Sequence, residues 1–439
     1  MNPALIYHRD PVPGKIAIEL TKPCCTAEDL SNAYTPGVAQ PCLEIKRDVA
    51  LVNTYTGRGN AVAVVSDGTA VLGLGNIGPE AGLPVMEGKA VLFKHFADID
   101  AYPICLGKVR GPDGKTDVRK LVEVAETLEP TFAGINLEDI GGPACFAVES
   151  QLKERMGIPV FHDDQHGTAI ISFAAILNAL KLVGKRPEEA RVVINGAGAA
   201  GIGCAEFYIR GGVRREHIVV CDSKGVIRAD RPGLTPEKAR LATSLDLHTL
   251  ADALKGADVF MGLSVPKAVT PEMVRSMAAD PILFAMANPT PEIYPDEALA
   301  AGAAVVGTGR SDFPNQVNNV LGFPGIFRGA LDSGARQITE NMKMAASLAL
   351  AELGEMPVSP DDKAILATAY PKEAQAGVFD GENPLKRTYV IPKPFDPRVV
   401  PHVARKVAEA AISEGVATLP VPDLDAYETA VRARIASRR

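Results

Sequence analysis

The chain has 439 residues, 46% of them hydrophobic, and a net charge of −7. That length suits two or three domains with large cores, and the mild acidity, with no basic stripe interleaved with aromatics, excludes nucleic acid as an expected partner. The seven cysteines (24, 25, 42, 105, 145, 204 and 221) are odd in number and form no Cys-x-x-Cys pair, which argues against a disulfide framework or zinc ribbon.

A reducing compartment follows from that cysteine usage. The N-terminus MNPALIYHRDPVPGK lacks the apolar core of a signal peptide, and no apolar run is long enough for a membrane span. A cytoplasmic enzyme is the expectation.

In chain order, the first sixty residues are rich in Pro, Gly and polar breakers. Ala61–Val65 reads as a buried strand closed by Ser66-Asp67-Gly68. The stretch Gly73-Leu-Gly-Asn-Ile-Gly78 matches a glycine-rich phosphate pattern, but Pro79, Gly82 and Pro84 follow it. These breakers predict that no helix presents its N-terminus there, so the stretch reads as a tight loop lining a cleft. Thr116 or Asp117 is placed to cap a helix running to about Leu128.

Two short apolar runs come next, Phe132–Asp139 (FAGINLED) and Ile158–Asp164 (IPVFHDD), each ending in an acidic doublet. Between them, residues 144–156 carry apolar side chains at helical spacing. Strand, crossover helix and strand make a right-handed βαβ unit with parallel strands. Neighbouring strands lie about 4.8 Å apart, so Glu138-Asp139 and Asp163-Asp164 are expected at one sheet edge. Carboxylates gathered there repel one another unless a cation or proton joins them.

Beyond Asp164, residues 167–183 suit a long buried helix stopped by Gly184. Strand-like runs then recur at Arg191–Asn195, His217–Cys221, Ala257–Leu263, Ile282–Ala287 and Ala303–Gly307, with helical spacers. This alternation predicts a doubly wound parallel sheet. Residues 325–353 read as helix, 370–395 as irregular, and Arg398–Glu414 as a final helix stopped by Gly415. The expected fold is α/β. An N-terminal mixed α/β domain holding substrate and metal spans 1–165, a Rossmann-type doubly wound domain spans 166–395, and a C-terminal helical segment spans 396–439.

Arg191–Gly201 (RVVINGAGAAG) is a strand running into G-x-G-x-x-G and an apolar helix. Gly196 permits the tight turn, Gly198 lets the backbone approach a pyrophosphate, and Gly201 allows close helix packing. Asn195, Ala197 and Ala199 complete this loop, and the helix N-terminus supplies N–H groups for the phosphates. The next strand ends at Asp222, placed to bind a ribose 2′-hydroxyl. Asp222 favours NAD, whereas Lys224 would pair with the 2′-phosphate of NADP, so both cofactors stay open.

His162 and His166, four apart, raise zinc as an alternative, but Pro159 and the strand-like Val160-Phe161 precede them and the Glu of H-E-x-x-H is absent. Four carboxylates flanking Gly141-Gly142 suit Mg²⁺ or Mn²⁺ better. A dinucleotide site beside a hard divalent metal suggests oxidation of a hydroxy acid, whose new ketone the metal polarises. The hydroxyl proton needs a base. Lys89, between Gly88 and an apolar run, is the candidate, because burial would lower its pKa; Lys94 is the weaker second, and an isolated strand-end lysine is the plain alternative.

These residues also form a recognisable set. The chain resembles malic enzymes, particularly the short bacterial form. The motifs are Tyr34–Ala39 (YTPGVA), Ser66–Gly75 (SDGTAVLGLG), Met86–Ala90 (MEGKA), Asn136–Asp139 (NLED), Phe161–Ala169 (FHDDQHGTA), Ala287–Thr290 (ANPT) and Asn318–Gly325 (NNVLGFPG). The resemblance implies oxidative decarboxylation of L-malate to pyruvate, with NAD or NADP and Mg²⁺ or Mn²⁺. It implies Lys89 as the base, Tyr34 as the acid that protonates the enol, and Asp163 as the charge partner of Lys89. Glu138, Asp139 and Asp164 would hold the metal, while Asn288, Asn318 and Asn319 would contact substrate carboxylate or cofactor.

The resemblance further implies a homodimer or higher homo-oligomer. In one respect the chain departs from the larger animal-type relatives: Ala70 stands where they carry an arginine for the malate carboxylate. Rival readings are a malolactic conversion releasing lactate, a metal-free two-domain amino-acid dehydrogenase, and a non-catalytic nucleotide sensor.

Overall fold

The computed structural model describes residues 2–438. The first sheet holds β1 (Ala61–Ser66), β2 (Asp100–Cys105), β3 (Gly134–Leu137) and β4 (Val160–His162), all parallel in the order β2-β1-β3-β4. The second holds β5 (Val192–Asn195), β6 (Ile218–Asp222), β7 (Gly225–Val226), β8 (Val259–Gly262), β9 (Ile282–Ala285) and β10 (Val305–Thr308), in the order β10-β9-β8-β5-β6-β7. Only the β6–β7 edge pair is antiparallel. The fold is α/β with a Rossmann-type second sheet. Its central strands are buried along their whole length, which parallel sheets covered on both faces require.

The helix Ala144–Arg155 crosses from β3 to β4 and buries Cys145, Val148, Glu149 and Leu152, a single face at helical spacing. In the β3–β4 register Leu137 stands opposite His162, so both acidic doublets leave the sheet at the same level. The helix Asp163–Leu182 starts directly after β4, four residues before the expected Gly167. Asp163 and Asp164 are therefore a first helical turn and not a strand end, a position where the helix dipole favours acidic side chains. This helix packs against Ala199–Arg210 and Glu340–Glu355, tying the two sheets together.

Three further features differ from expectation. A helix, Pro79–Ala97, does follow the Gly73–Gly78 loop, with Pro79 at its first turn and Pro84 inside it. Proline is well suited to a first turn, and one interior proline removes a single backbone bond that buried packing offsets. The expected 325–353 helix is two, Phe323–Asp332 and Glu340–Glu355, separated where Gly334 takes φ +61. A last helix, Leu424–Ala436, packs beside Val399–Ser413 and returns to the first sheet. There the Arg434 guanidinium donates to Asp98 Oδ2 at 2.9 Å and to Asn60 Oδ1 at 3.0 Å.

Residues 2–57 behave differently from the rest. Their helices Pro3–Arg9, Ala27–Ala33 and Ala39–Arg47 bury no residue, and Ile18 is 90% exposed. Among the described residues, no helix is long and apolar enough to cross a membrane.

Candidate active site

β3 stops at Leu137, and Glu138 and Asp139 turn out of the sheet, Asp139 with φ +55. Beside them the first turn of Asp163–Leu182 presents Asp163 and Asp164. One oxygen each from Glu138, Asp139 and Asp164 lie within 4.8 Å of one another. The backbone N–H of Asp139 donates to Asp164 Oδ2 at 2.8 Å, and Asn136 Nδ2 donates to Glu138 Oε2 at 2.8 Å. Burial, together with the charges of the neighbouring carboxylates, pushes Glu138 well above the usual range, although Lys89 pulls it down. Asp139 is pushed up to about 7, by burial first and Asp164 second.

A buried oxygen of Asp139, Oδ2, has no hydrogen-bond partner. Three carboxylates, one unsatisfied oxygen and suppressed ionisation together fit a hard divalent cation, which would relieve all three.

Lys89 sits on the buried face of the Pro79–Ala97 helix and not at a strand end. Its ammonium lies 2.6 Å from Asp163 Oδ2, 2.9 Å from Glu138 Oε1 and 4.4 Å from the centre of the Phe323 ring. Burial alone would lower its pKa, as the sequence suggests, but the charges of Asp163 and Glu138 outweigh burial and raise it. Asp163 is held in turn by Asn319 Nδ2 at 3.1 Å. Lys94 points elsewhere, to Asp98 and Asp100.

Lys89, Glu138, Asp139 and Asp164 line a cleft of about 740 Å³. The opposite wall is Leu263, Met286, Asn288, Gly309, Asn318 and Asn319, at or beyond the C-terminal ends of the second sheet's strands. That is where doubly wound sheets bind ligands. Asn318 spends its side-chain oxygen on the N–H of Val320. Tyr34 does not line this cleft; it is 70% exposed at the end of Ala27–Ala33.

In the Gly196–Gly201 loop, Gly196 takes φ +125, and a Cβ there would meet Leu263 O at 2.2 Å. A Cβ on Gly201 would meet Gly196 O at 1.8 Å. A Cβ on Gly198, in contrast, would meet nothing within 4 Å, which leaves the loop's outer side open to a ligand. The helix Ala199–Arg210 begins there with no side-chain cap, so its first N–H groups remain available to an anion. Ala199 itself packs against the first domain's core, and Asn195 Nδ2 donates to Ser264 Oγ at 2.7 Å.

Asp222 is not the free acceptor expected from sequence. Its carboxylate takes Arg231 at 3.0 Å, Lys238 at 2.8 Å and the N–H of Lys224 at 2.9 Å. Burial would raise its pKa, but the hydrogen bonds from Arg231 and Lys238 hold it well below the ordinary carboxylate value. The Lys224 side chain is exposed.

Sequence reading also misses a buried network behind the acidic turn. Glu149 accepts His166 Nε2 at 2.8 Å, Lys153 at 2.6 Å and the N–H of His162 at 3.3 Å, while Lys343 reaches His166 at 3.1 Å. A signal existed: Glu149 falls on the apolar face of its helix, four residues after Cys145.

Comparison with known proteins shows the family. The family description "Malic enzyme, N-terminal domain" matches residues 13–153, and "Malic enzyme, NAD binding domain" matches 165–371. The chain is 53% identical over 427 residues to the NADP-dependent malic enzyme of Escherichia coli, covering 97% of itself and 54% of that protein. It thus spans about half the length of that relative. It is 54% identical to the bifunctional malic/malolactic enzyme of Bacillus subtilis, covering 96% of itself and 95% of that protein. The crystal structure of malic enzyme from Pyrococcus horikoshii superposes with a TM-score of 0.86 at 42% identity, over 99% of this chain and 95% of that one. The chain belongs to the malic enzyme family.

Proposed function

We propose that the protein oxidises L-malate to pyruvate and CO₂ with reduction of NADP or NAD, in the presence of Mg²⁺ or Mn²⁺. The observation that carries this reading is the Lys89 ammonium, held between Asp163 and Glu138 in a cleft that also meets the open end of a dinucleotide-binding sheet. Glu138, Asp139 and Asp164 would hold the cation, which when bound polarises the substrate carbonyl and stabilises the negative charge left by CO₂. The Asn195–Gly201 loop and Asn288 would hold the dinucleotide, whose nicotinamide would supply hydride acceptance.

Lys89 takes the C2 hydroxyl proton, and Asp163 steadies the resulting charge. Asn319 orients Asp163, while Asn318 and Asn288 face the substrate. Tyr34 protonates C3. Because Tyr34 is exposed and outside the cleft, we infer that a second copy supplies it within a homodimer. The exposed apolar side chains of residues 2–57, Ile18, Leu20, Leu30 and Val49 among them, support such a docking arm.

The cleft walls are assigned to residues 1–165 and 166–395, with 396–439 bracing the first. Seven unpaired cysteines support a reducing, cytoplasmic setting. Neutralisation of Asp222 by Arg231 and Lys238 supports NADP over NAD, since a paired carboxylate no longer repels a 2′-phosphate.

The test is an initial-rate assay with L-malate, crossing NADP against NAD and Mg²⁺ against EDTA. Protein that reduces neither nucleotide would overturn the reading. The malolactic relative in Bacillus subtilis keeps a second reading in view, conversion of malate to lactate with the cofactor retained. Accumulation of free reduced nucleotide separates the two.

A further inference from the structure

The oxidation proposed above leaves one charge unmatched. L-malate brings two carboxylates, of which the one beside the hydroxyl belongs at the acidic cluster. Ala70, which lines the cleft, offers the other only a methyl group. Among the described residues lining the cleft, the lysine and arginine side chains are Lys15 and Lys89 alone, and Lys89 is committed to Asp163 and Glu138.

Lys15 reaches the cleft from the N-terminal arm. After the helix Pro3–Arg9 the chain turns at Gly14, φ +87, and the backbone N–H of Lys15 donates to Glu87 Oε2 at 3.2 Å. The Lys15 ammonium then donates to Pro84 O at 2.5 Å and contacts His8 Nε2 at 3.1 Å. The other ring nitrogen of His8 lies 2.8 Å from Ala4 O, which can only accept. That nitrogen therefore carries the proton, and Nε2 offers Lys15 a lone pair.

An ammonium has three N–H bonds, so one remains for a ligand. A Cβ on Gly88 would sit 3.4 Å from Lys15 Nζ, which puts this charge one residue from Lys89 along the same helix. Tyr7 and His8 line the cleft beside it.

We propose that Lys15 binds the remote carboxylate of the substrate, making the N-terminal arm a wall of the substrate site that selects dicarboxylic over monocarboxylic 2-hydroxy acids. This assignment rests on the malate reading. Its test compares Lys15→Met and Lys15→Arg with the unaltered protein, using L-malate as substrate and oxalate as inhibitor. Oxalate can chelate a cation but has no further carboxylate.

Lys15→Met is expected to raise the malate KM by roughly tenfold or more, the scale of a lost charged hydrogen bond. The nucleotide KM and the oxalate inhibition constant stay unchanged, and Lys15→Arg recovers most of the malate affinity. An unchanged malate KM in Lys15→Met overturns the assignment, and so does oxalate inhibition that weakens in parallel, because the arm would then be only a brace. Either result leaves malate oxidation itself standing, whereas unaltered protein with no malate turnover removes both.

Discussion

Lys89 Nζ and Glu138 Oε1 lie 2.9 Å apart, so the candidate base and the candidate metal cluster share one carboxylate. The pairing explains why Lys89 is held protonated despite burial: Asp163 and Glu138 outweigh desolvation. A cation that claims Glu138 removes part of that hold, so base strength and metal occupancy are linked through a single side chain. Replacing Lys89 by Ala is expected to lower kcat by roughly 10²–10⁴, the usual contribution of a general base. Nucleotide binding, followed by fluorescence titration, should persist. An equal loss of nucleotide affinity would show that the variant had damaged the fold and not the proton transfer.

The acidic cluster makes its own prediction about pH. Asp139 is raised to about 7, with burial the first cause and Asp164 the second. The unfolded carboxyl titrates near 4, so between that value and about 7 the native state binds the extra proton. Stability contributed by this group therefore falls as pH rises through that window. A divalent cation at Glu138, Asp139 and Asp164 relieves the repulsion, so the rise in Tm on adding Mn²⁺ should be larger at pH 8 than at pH 6. Glu138→Gln should shrink that rise. A Tm shift independent of pH would remove the cluster as the binding site.

Cofactor choice turns on how Asp222 is spent. With Arg231 and Lys238 both on its carboxylate, the cluster at the end of β6 carries a net positive charge. Lys238→Ala should therefore lower kcat/KM for NADP by about tenfold or more and leave NAD nearly unaffected, as expected for loss of a charged contact made only by the 2′-phosphate. Equal losses with both nucleotides would mean that Lys238 supports the β6–β7 turn and reads no phosphate.

Much of this was legible in the sequence, for a physical reason. β5, β6, β8, β9 and β10 are apolar up to a small or polar last residue because both faces are buried, and such runs mark strands without help from neighbours. Glu138-Asp139 and Asp163-Asp164 were readable because each doublet is local and parallel register brings the pair together. β2 was not, since Asp100-Ala-Tyr-Pro-Ile-Cys105 carries a proline that only its edge position tolerates.

Long-range contacts stayed hidden for a different reason. Nothing near Lys15 shows that it meets Pro84, nothing near Asp222 reveals Arg231 and Lys238 as its partners, and Lys343 looks like an ordinary helical lysine. Tertiary packing alone decides those pairings.

Tyr34 offers a test that no single-copy site can pass. If a second copy delivers it, Tyr34→Phe and Lys89→Ala proteins are each nearly inactive, yet mixing them with exchange of subunits assembles one site holding both native residues. Recovered activity in the mixture is the expected result, measured against each variant alone. A mixture no more active than its components, with exchange shown by tagged subunits, would place Tyr34 and Lys89 in the same chain's site.

Glu149 is the last case, because it joins stability to the site. Burial would raise its pKa, but His166, Lys153 and Lys343 outweigh burial and hold it well below the usual range. A depressed carboxyl contributes stability above its unfolded value and loses it as pH falls through the folded one. Glu149→Ala would strip buried His166 and Lys153 of their acceptor and leave Lys343, fully buried, with Glu340 at 2.7 Å as its remaining carboxylate, a defect worth about 1–3 kcal/mol. The urea midpoint should drop accordingly at pH 7.

Since Glu149 also grips the N–H of His162 and the ring of His166, on either side of Asp163-Asp164, affinity for Mn²⁺ should weaken in step. Glu149→Gln keeps a hydrogen-bond acceptor and loses the charge, so its midpoint should fall between. A Glu149→Ala protein as stable as the original would mean that the helix Asp163–Leu182 holds the acidic turn without this clamp.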